Sequence, residues 1–511
     1  MLLLLVCFGV GAGLELVLRG VRAAWPARRW LAGVSVAATV FASGGLAVWQ
    51  PGLWSALIAL VSLYRAFNLA RVADDRMHER YLRHAAWRTA VILAGAQVAV
   101  AGLWLVWQHW PMRVHTVWVV LASVQVLVAA VLLASTMRRL RHTAWPQRVK
   151  PIANADLPPI SIAIPARNET EDLEACLQSV IASDYPKLEV LVLDDCSQNK
   201  RTPEIIRGFA HDGVRFIQGA PPSDTWLPKN QAYDRLAAEA SGAYILFCGV
   251  DVRFAPDSIR QLVTAMLGRR KTMMSILPRR GPAAGRGQLA LVQAMRYWWE
   301  LVPPRRLFQR PAVLSSCWII QASALDRAGG FAAVTRSIVP EAYFAKSVLP
   351  TDGYSFMRAT DGLGIFSVKT AHDQRATAIR TRYPQLHRRP ENVLAAALLE
   401  LVLLVAPFVL GTAGWWLPVG GIAPALALVA AALLTASYMC MALATRLNSW
   451  WFALVALPLM VMSDVWLLHY SMWQYEFSVV DWKGRNVCIP VMHVVPHLPQ
   501  LPDAPGSPPV V

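Results

Sequence analysis

Pro158-Pro159-Ile160-Ser161-Ile162-Ala163-Ile164-Pro165-Ala166-Arg167-Asn168-Glu169 decides how the rest of this chain is read. The apolar run Ile160 to Ile164 has the composition of a buried strand, and the proline and polar residues after it mark the exit into a loop. From Asp172 to Ser183, Leu173, Cys176, Leu177 and Val180 recur at helical spacing, and Tyr185-Pro186 ends that helix. A second apolar strand, Leu188 to Leu193, runs into Asp194-Asp195-Cys196-Ser197. A third, Tyr244 to Cys248, runs into Gly249-Val250-Asp251. Strands alternating with helices predict a mostly parallel α/β sheet. Ligands of open sheets of this kind bind beyond the carboxyl ends of the strands, where this sequence places carboxylates.

Around this island the chain is too apolar for an ordinary soluble protein. Of its 511 residues 55% are hydrophobic, and the mean hydropathy is +0.38. Such a composition requires several membrane segments. The formal net charge is +17, and its arginines gather in short loops beside apolar runs. Positive-inside topology and contact with anionic lipid headgroups account for that charge, so no nucleic-acid partner is expected. The cysteines, among them Cys176, Cys196, Cys248 and Cys317, show no metal-ligand spacing and read as small buried hydrophobes in a reducing compartment.

Residues 1–137 read as an amino-terminal block of about five membrane segments: 2–18, 30–49, 53–65, 89–107 and 115–136. The first carries its arginines after the apolar run rather than before it, which marks a retained anchor. Arg65 to Arg88 reads as a charged cytoplasmic helix, and Trp107, Trp110 and Trp118 fall where an aromatic belt belongs. Residues 138–157 form a basic linker, 158–390 the α/β domain, 391–473 three further apolar segments and 474–511 a tail rich in proline near its end. With the arginine-rich loops on one face, the domain lies in the cytoplasm of a bacterial inner or plasma membrane. Three full carboxyl-terminal crossings would leave Trp482-Lys483-Gly484-Arg485 outside; its charges favour inside, so one segment, that with Pro407, is expected to be interfacial or re-entrant.

The strand-end strings resemble the opening motifs of the family 2 glycosyltransferases, enzymes of GT-A fold. Trp226-Leu227-Pro228-Lys229-Asn230, Ala328-Gly329-Gly330-Phe331, Arg380-Thr381-Arg382-Tyr383 and Trp482-Lys483-Gly484-Arg485 resemble further motifs of a membrane-embedded branch that includes carotenoid- and hopanoid-associated glycosyltransferases. The resemblance implies a polytopic α-helical membrane protein with an inserted α/β GT-A-like domain. It implies an inverting, non-processive transferase that moves a sugar from a nucleotide-diphospho-sugar to a lipid or lipid-linked acceptor, since the Gln-x-x-Arg-Trp string of processive synthases is absent. The alternative is a catalytically lapsed membrane protein that keeps the fold as a scaffold or regulator.

The resemblance also implies roles. Asp195, with Asp194 beside it, corresponds to the carboxylate that reads base and ribose; otherwise the two are a turn-capping pair. Arg167 and Glu169 lie where the family loop meets the nucleotide, or are solvated loop charges. Asp251 keeps the last acid of the Asp-x-Asp motif while Gly249 replaces the first, so a divalent cation, Mg²⁺ or Mn²⁺, would take one protein carboxylate plus diphosphate oxygens and water. Lys229 would offset donor charge. The family's catalytic aspartate is missing near Val339-Pro340-Glu341-Ala342, leaving Glu341 as the candidate base or as a helix amino-terminal acid after proline. Arg380 and Arg382 would grip a phosphate or flank the next membrane segment. Trp298 and Trp299, in Tyr297-Trp298-Trp299-Glu300 ahead of Pro303-Pro304-Arg305-Arg306, suit the headgroup layer on the acceptor side, or an interfacial core helix without acceptor contact.

Overall fold

The computed structural model describes residues 27–49, 51–73, 90–100, 114–146, 152–221, 223, 225–281, 291–303, 311–417, 419, 421–445, 453–483 and 485–486, with a few positions between 7 and 18. The expected charged stretch 74–88, Trp107 and Trp110, Arg305 and Arg306, and the proline-rich end lie outside the described residues.

The chain begins with helices α1 (Arg28–Trp49), α2 (Leu53–Ala73) and α3 (Val114–His142). Helix α2 continues past the expected break at residue 65, because Arg65 is neutralised inside the block. Its guanidinium bonds Glu15 at 2.5 Å and also donates to Gln97, whose amide donates to Ser62. The acid that interrupts the first apolar run thus has its partner two segments away.

The domain follows: β1 (Ile160–Ala166), α4 (Glu171–Ile181), β2 (Leu188–Asp194), β3 (Val214–Gln218), α5 (Pro228–Glu239), β4 (Tyr244–Cys248), β5 (Met273–Leu277), α6 (Leu291–Leu301), β6 (Cys317–Gln321), α7 (Pro340–Val348), β7 (Tyr354–Arg358) and α8 (Ala371–Gln385). The seven-stranded sheet has the order β3-β2-β1-β4-β6-β5-β7. Strands β3, β2, β1 and β4 are parallel, with Ile160 opposite Leu188 and Tyr244, so the loops after β1, β2 and β4 emerge along one edge. Strand β6 runs antiparallel to both β4 and β5. The sheet is therefore mixed but mostly parallel, as expected: β7 pairs parallel with β5, and only β6 runs against the other strands. Small additional pairings join Ile365–Ser367 with Val252–Phe254 on one side and with Arg279–Arg280 on the other, and Asp481–Trp482 with Arg485–Asn486.

The two faces of the sheet pack differently. One buries Ile162, Ile164, Val190 and Val192 against Leu173, Leu177 and Val180 of α4. The other buries Phe247, Trp318, Phe331 and Phe344, and its apolar cluster continues into Ala129 and Leu132 of α3 and into the carboxyl-terminal helices. Phe247 and Trp318 stack at 4.4 Å between ring centroids. Removing a ring of this kind costs about 3–5 kcal/mol in a packed core.

After α8 the chain enters the apolar helix Pro390–Trp416, then α9 (Ile422–Thr445) and α10 (Ala453–Phe477). Among the described residues five helices are long and apolar enough to cross a membrane: Arg28–Trp49, His115–His142, Pro390–Trp416, Ile422–Thr445 and Val455–Phe477. The helix containing Pro407 is continuous rather than broken, and a π-helical turn at Leu401–Val405 precedes the proline. Such a turn accommodates a residue that lacks an N–H and crowds the carbonyl four positions back. Arg358, the last residue of β7, docks the domain on the bundle. Its Nη2 donates to Leu140 O of α3 (2.8 Å), its Nη1 to Ala444 O of α9 (2.9 Å) and its Nε to Thr143 Oγ1 (2.9 Å).

Candidate active site between the sheet edge and the membrane helices

The loop after β1 turns sharply at Asn168, whose φ of 49° is tolerable for asparagine. Its side-chain oxygen accepts from the amides of Gln198 and Asn199, and its own amide donates to Ser197 Oγ, binding the β1 and β2 loops together. Arg167 is buried and donates to Asp195 O (2.6 Å) and Cys196 O (2.5 Å). It is therefore no solvated loop charge. Asp194 accepts from the amide of Ser197 (3.1 Å), the turn-capping role. Asp195 is 4% exposed and pairs with Arg485, Oδ2 to Nη1 2.6 Å, while Nη2 of the same arginine bonds Asp195 O. Burial pushes the Asp195 carboxyl up, against the opposing pull of Arg485 and then Arg167.

The partner of this floor is the hairpin Asp481–Asn486. Lys483 O accepts from Arg167 Nε and from Asn168 Nδ2, each at 3.0 Å, and Lys483 Nζ is paired with Glu169. The Trp-Lys-Gly-Arg string thus closes over the first two strand ends. The sequence shows the string but not its partner.

A cavity of about 880 Å³ begins at Glu169, Gly249 and Asp251, passes Lys229, Tyr233, Arg296, Trp299, Lys369 and Arg380, and ends at Glu400, Asp464 and Leu468 in the membrane helices. Asp251 lines it and Asp195 does not, so the two acids do not share an open surface; the hairpin separates Asp195 from the cavity. A Cβ at Gly249 would lie 2.4 Å from Asp251 Oδ1. The residue that replaces the first acid is thus the space into which Asp251 folds. Among the described residues no group of three or more His, Cys, Asp or Glu side chains could hold a metal ion. The charges that act on Lys369 beside Asp251 include the cations Arg296 and Arg380. The side chains at this end therefore do not by themselves form a cage for Mg²⁺ or Mn²⁺, and Asp251 is the carboxylate that would hold such an ion.

Of these cations Arg380 was expected from its string, whereas Lys369 and Arg296 are what the sequence reading missed. Burial first, and then Arg296 and Arg380, push the Lys369 ammonium down to about 8, with Asp251 opposing. Arg380, lying over the Trp482 ring at 5.6 Å, is pushed down to about 10 by burial and by Arg296. Cations that repel one another beside a cavity favour an anion.

Glu341 takes the second position expected of it, that of a helix amino-terminal acid. It is completely buried, lies in the first turn of α7 after Pro340, and is not among the cavity-lining residues. Its Oε1 accepts from Lys229 Nζ at 3.0 Å, and Lys229 faces the cavity. The acid positions a lysine and does not reach a substrate from there. Asn230 binds the next motif along, donating to Val334 O, Thr335 O and Ser337 O, which holds the loop after Gly329-Gly330-Phe331. Trp298, at 1% exposure, is core, as the alternative of a core helix without acceptor contact expects, whereas Trp299 lines the cavity. Arg382, expected to grip a phosphate or flank the next membrane segment, points at the membrane helices, its Nε 2.7 Å from Asp464 Oδ1.

A parallel β3-β2-β1-β4 edge carrying acids and cations, within a mixed sheet, defines a GT-A-like α/β domain. The family described as Glycosyl transferase family 2 matches residues 161–328. The chain is 34% identical over 99 residues to Glycosyltransferase AglE of Haloferax volcanii, covering 19% of this chain and 31% of that protein. It is 29% identical over 119 residues to the Probable glycosyltransferase YdaM of Bacillus subtilis, covering 22% of this chain and 26% of that one. The chain thus spans about a third or less of the curated relatives it matches. Among solved structures it is similar to the mannosyltransferase PcManGT from Pyrobaculum calidifontis in complex with GDP-Man and Mn2+, at 18% identity and a TM-score of 0.41, over 68% of this chain and 99% of that one. It is also similar to S. aureus TarS 1-349, at 13% identity and a TM-score of 0.31, over 62% and 91%.

Proposed function

We propose that the protein is an inverting, non-processive membrane glycosyltransferase that moves a sugar from a nucleotide-diphospho-sugar to a lipid or lipid-linked acceptor, its domain facing the cytoplasm. The observation that carries this reading is the single cavity running from Asp251 at the sheet edge to Asp464 and Leu468 of a membrane helix. The nucleoside end lies against the hairpin residues Trp482 and Lys483 that cover Asp195 and Arg167, and the diphosphate beside Lys369, Arg296 and Arg380. The acceptor oxygen attacks the anomeric carbon, the bond to the diphosphate oxygen breaks with its electrons going to that leaving group, and these cations stabilise the charge that develops. The acceptor proton passes to a carboxylate that lines the cavity, a position Glu341 does not hold. A divalent ion would have to draw most of its ligands from the diphosphate and water, with Asp251 as its one protein carboxylate. The carboxyl-terminal hairpin rests on the domain. An even number of crossings must then separate it from α8, and of the two expectations for Pro390–Trp416, interfacial or re-entrant, we read the continuous helix as interfacial.

The second reading is a lapsed enzyme, which the buried Glu341 and the single remaining acid favour. Release of nucleotide from GDP-mannose, UDP-glucose and UDP-N-acetylglucosamine by purified protein separates the two. Turnover of at least one donor, reduced in the Asp251→Asn variant, is expected. No turnover of any donor by a folded protein sinks the enzyme reading.

A further inference from the structure

We propose that the membrane end of the cavity is a head-group site for an uncharged, hydroxyl-bearing amphiphile, formed by Glu400, Asp464 and Arg382. This deepens the reading of a membrane-borne acceptor and rests on it.

Glu400 and Asp464 lie within the apolar helices Pro390–Trp416 and Val455–Phe477. Ionisable groups in such segments are costly and mark ligand sites by default. They are 5% and 3% exposed, and both line the cavity with Ala396 and Leu468. Arg382 takes Asp464 Oδ1 through both Nε and Nη2. That pair alone would read as a pin between α8 and α10, but it does not account for Glu400, whose Oε2 is buried without a hydrogen-bond partner. A buried carboxylate oxygen in a cavity wall calls for a donor.

Charge decides which donor. Arg382 is taken by Asp464 through two nitrogens, and the other groups that act on it, Glu400 and Glu300, are acids. A phosphate head would find no free cation there among the described residues, whereas a hydroxyl donates to the open Glu400 oxygen without bringing charge. The apolar sides supplied by Ala396 and Leu468 suit the adjoining carbon chain.

The test compares equilibrium binding of three amphiphiles of equal chain length, monododecanoylglycerol, dodecyl phosphate and dodecylamine, to the full-length protein by native mass spectrometry. The glycerol head is expected to bind about tenfold tighter than the other two, and Glu400→Leu to erase that preference. Leu468→Trp, which leaves both acids in place and fills the floor, is expected to weaken all three. Equal or tighter binding of dodecyl phosphate, tighter binding of the amine, or an unchanged preference in a folded Glu400→Leu protein each overturns the proposal. Donor hydrolysis is measured on the same samples. Its absence alongside a retained glycerol preference counts against the glycosyltransferase reading and leaves the head-group site standing.

Discussion

The two ends of the cavity are built on opposite chemistry. At the sheet edge Arg296, Lys369 and Arg380 crowd one acid, Asp251; at the membrane end Glu400, Asp464 and Glu300 crowd one cation, Arg382. The first arrangement suits a polyanion, the second a neutral donor of hydrogen bonds. A substrate pair with one anionic and one uncharged member would be sorted between the ends by charge alone.

The largest expected effect tests the sheet end. Asp251→Asn keeps the shape and removes the charge, and sugar transfer should fall about a hundredfold or more with amphiphile binding unchanged. Loss of amphiphile binding as well would abolish the contrast between the ends. Gly249→Ala should lower transfer by a similar mechanism, since the new Cβ must turn the Asp251 carboxylate aside. A moderate effect is expected from Arg485→Ala, which leaves Asp195 buried without its guanidinium and frees the hairpin. Nucleotide Kd should rise about tenfold, with kcat less affected. An unchanged Kd in calorimetry would show that the hairpin plays no part in holding the donor.

The smallest effect is in pH. Lys369 is charged below about 8, and so is Lys483, which burial also pushes down to about 8. Nucleotide affinity should be flat below pH 8 and decline above it, and Lys369→Met should remove part of that decline. Stability of the ligand-free protein should move the other way. The unfolded lysine keeps its proton up to its ordinary pKa while the folded one has lost it, so stability rises as pH passes upward through 8. A denaturant midpoint that falls over this range would refute the crowding of cations.

The parallel half of the fold was legible because each of its motifs is local. A strand ends, a polar loop begins, and the carboxylate follows within a few residues, as at Asp194 and Asp251. Strands β5, β6 and β7 carry no such punctuation, and the antiparallel β6 is fixed only by neighbours distant in sequence. The site divides along the same line. Asp251 and Lys229 were visible in their strings, while the burial of Glu341 behind Lys229 depends on α7 packing against the sheet. Lys369 and Arg296 come from stretches without a motif. Glu400 and Asp464 each look like a lone exception in an apolar run until α8 brings Arg382 between them.

Arg358 gives the assembly a mechanical property. Its guanidinium ties the ends of two apolar helices to the tip of a sheet strand through bonds that share one rigid plane. Lifting the domain away breaks all of them together, so this tie is all-or-none rather than graded. With the shared apolar cluster and the Arg382–Asp464 pair it fixes the height of the sheet over the helices like a ruler.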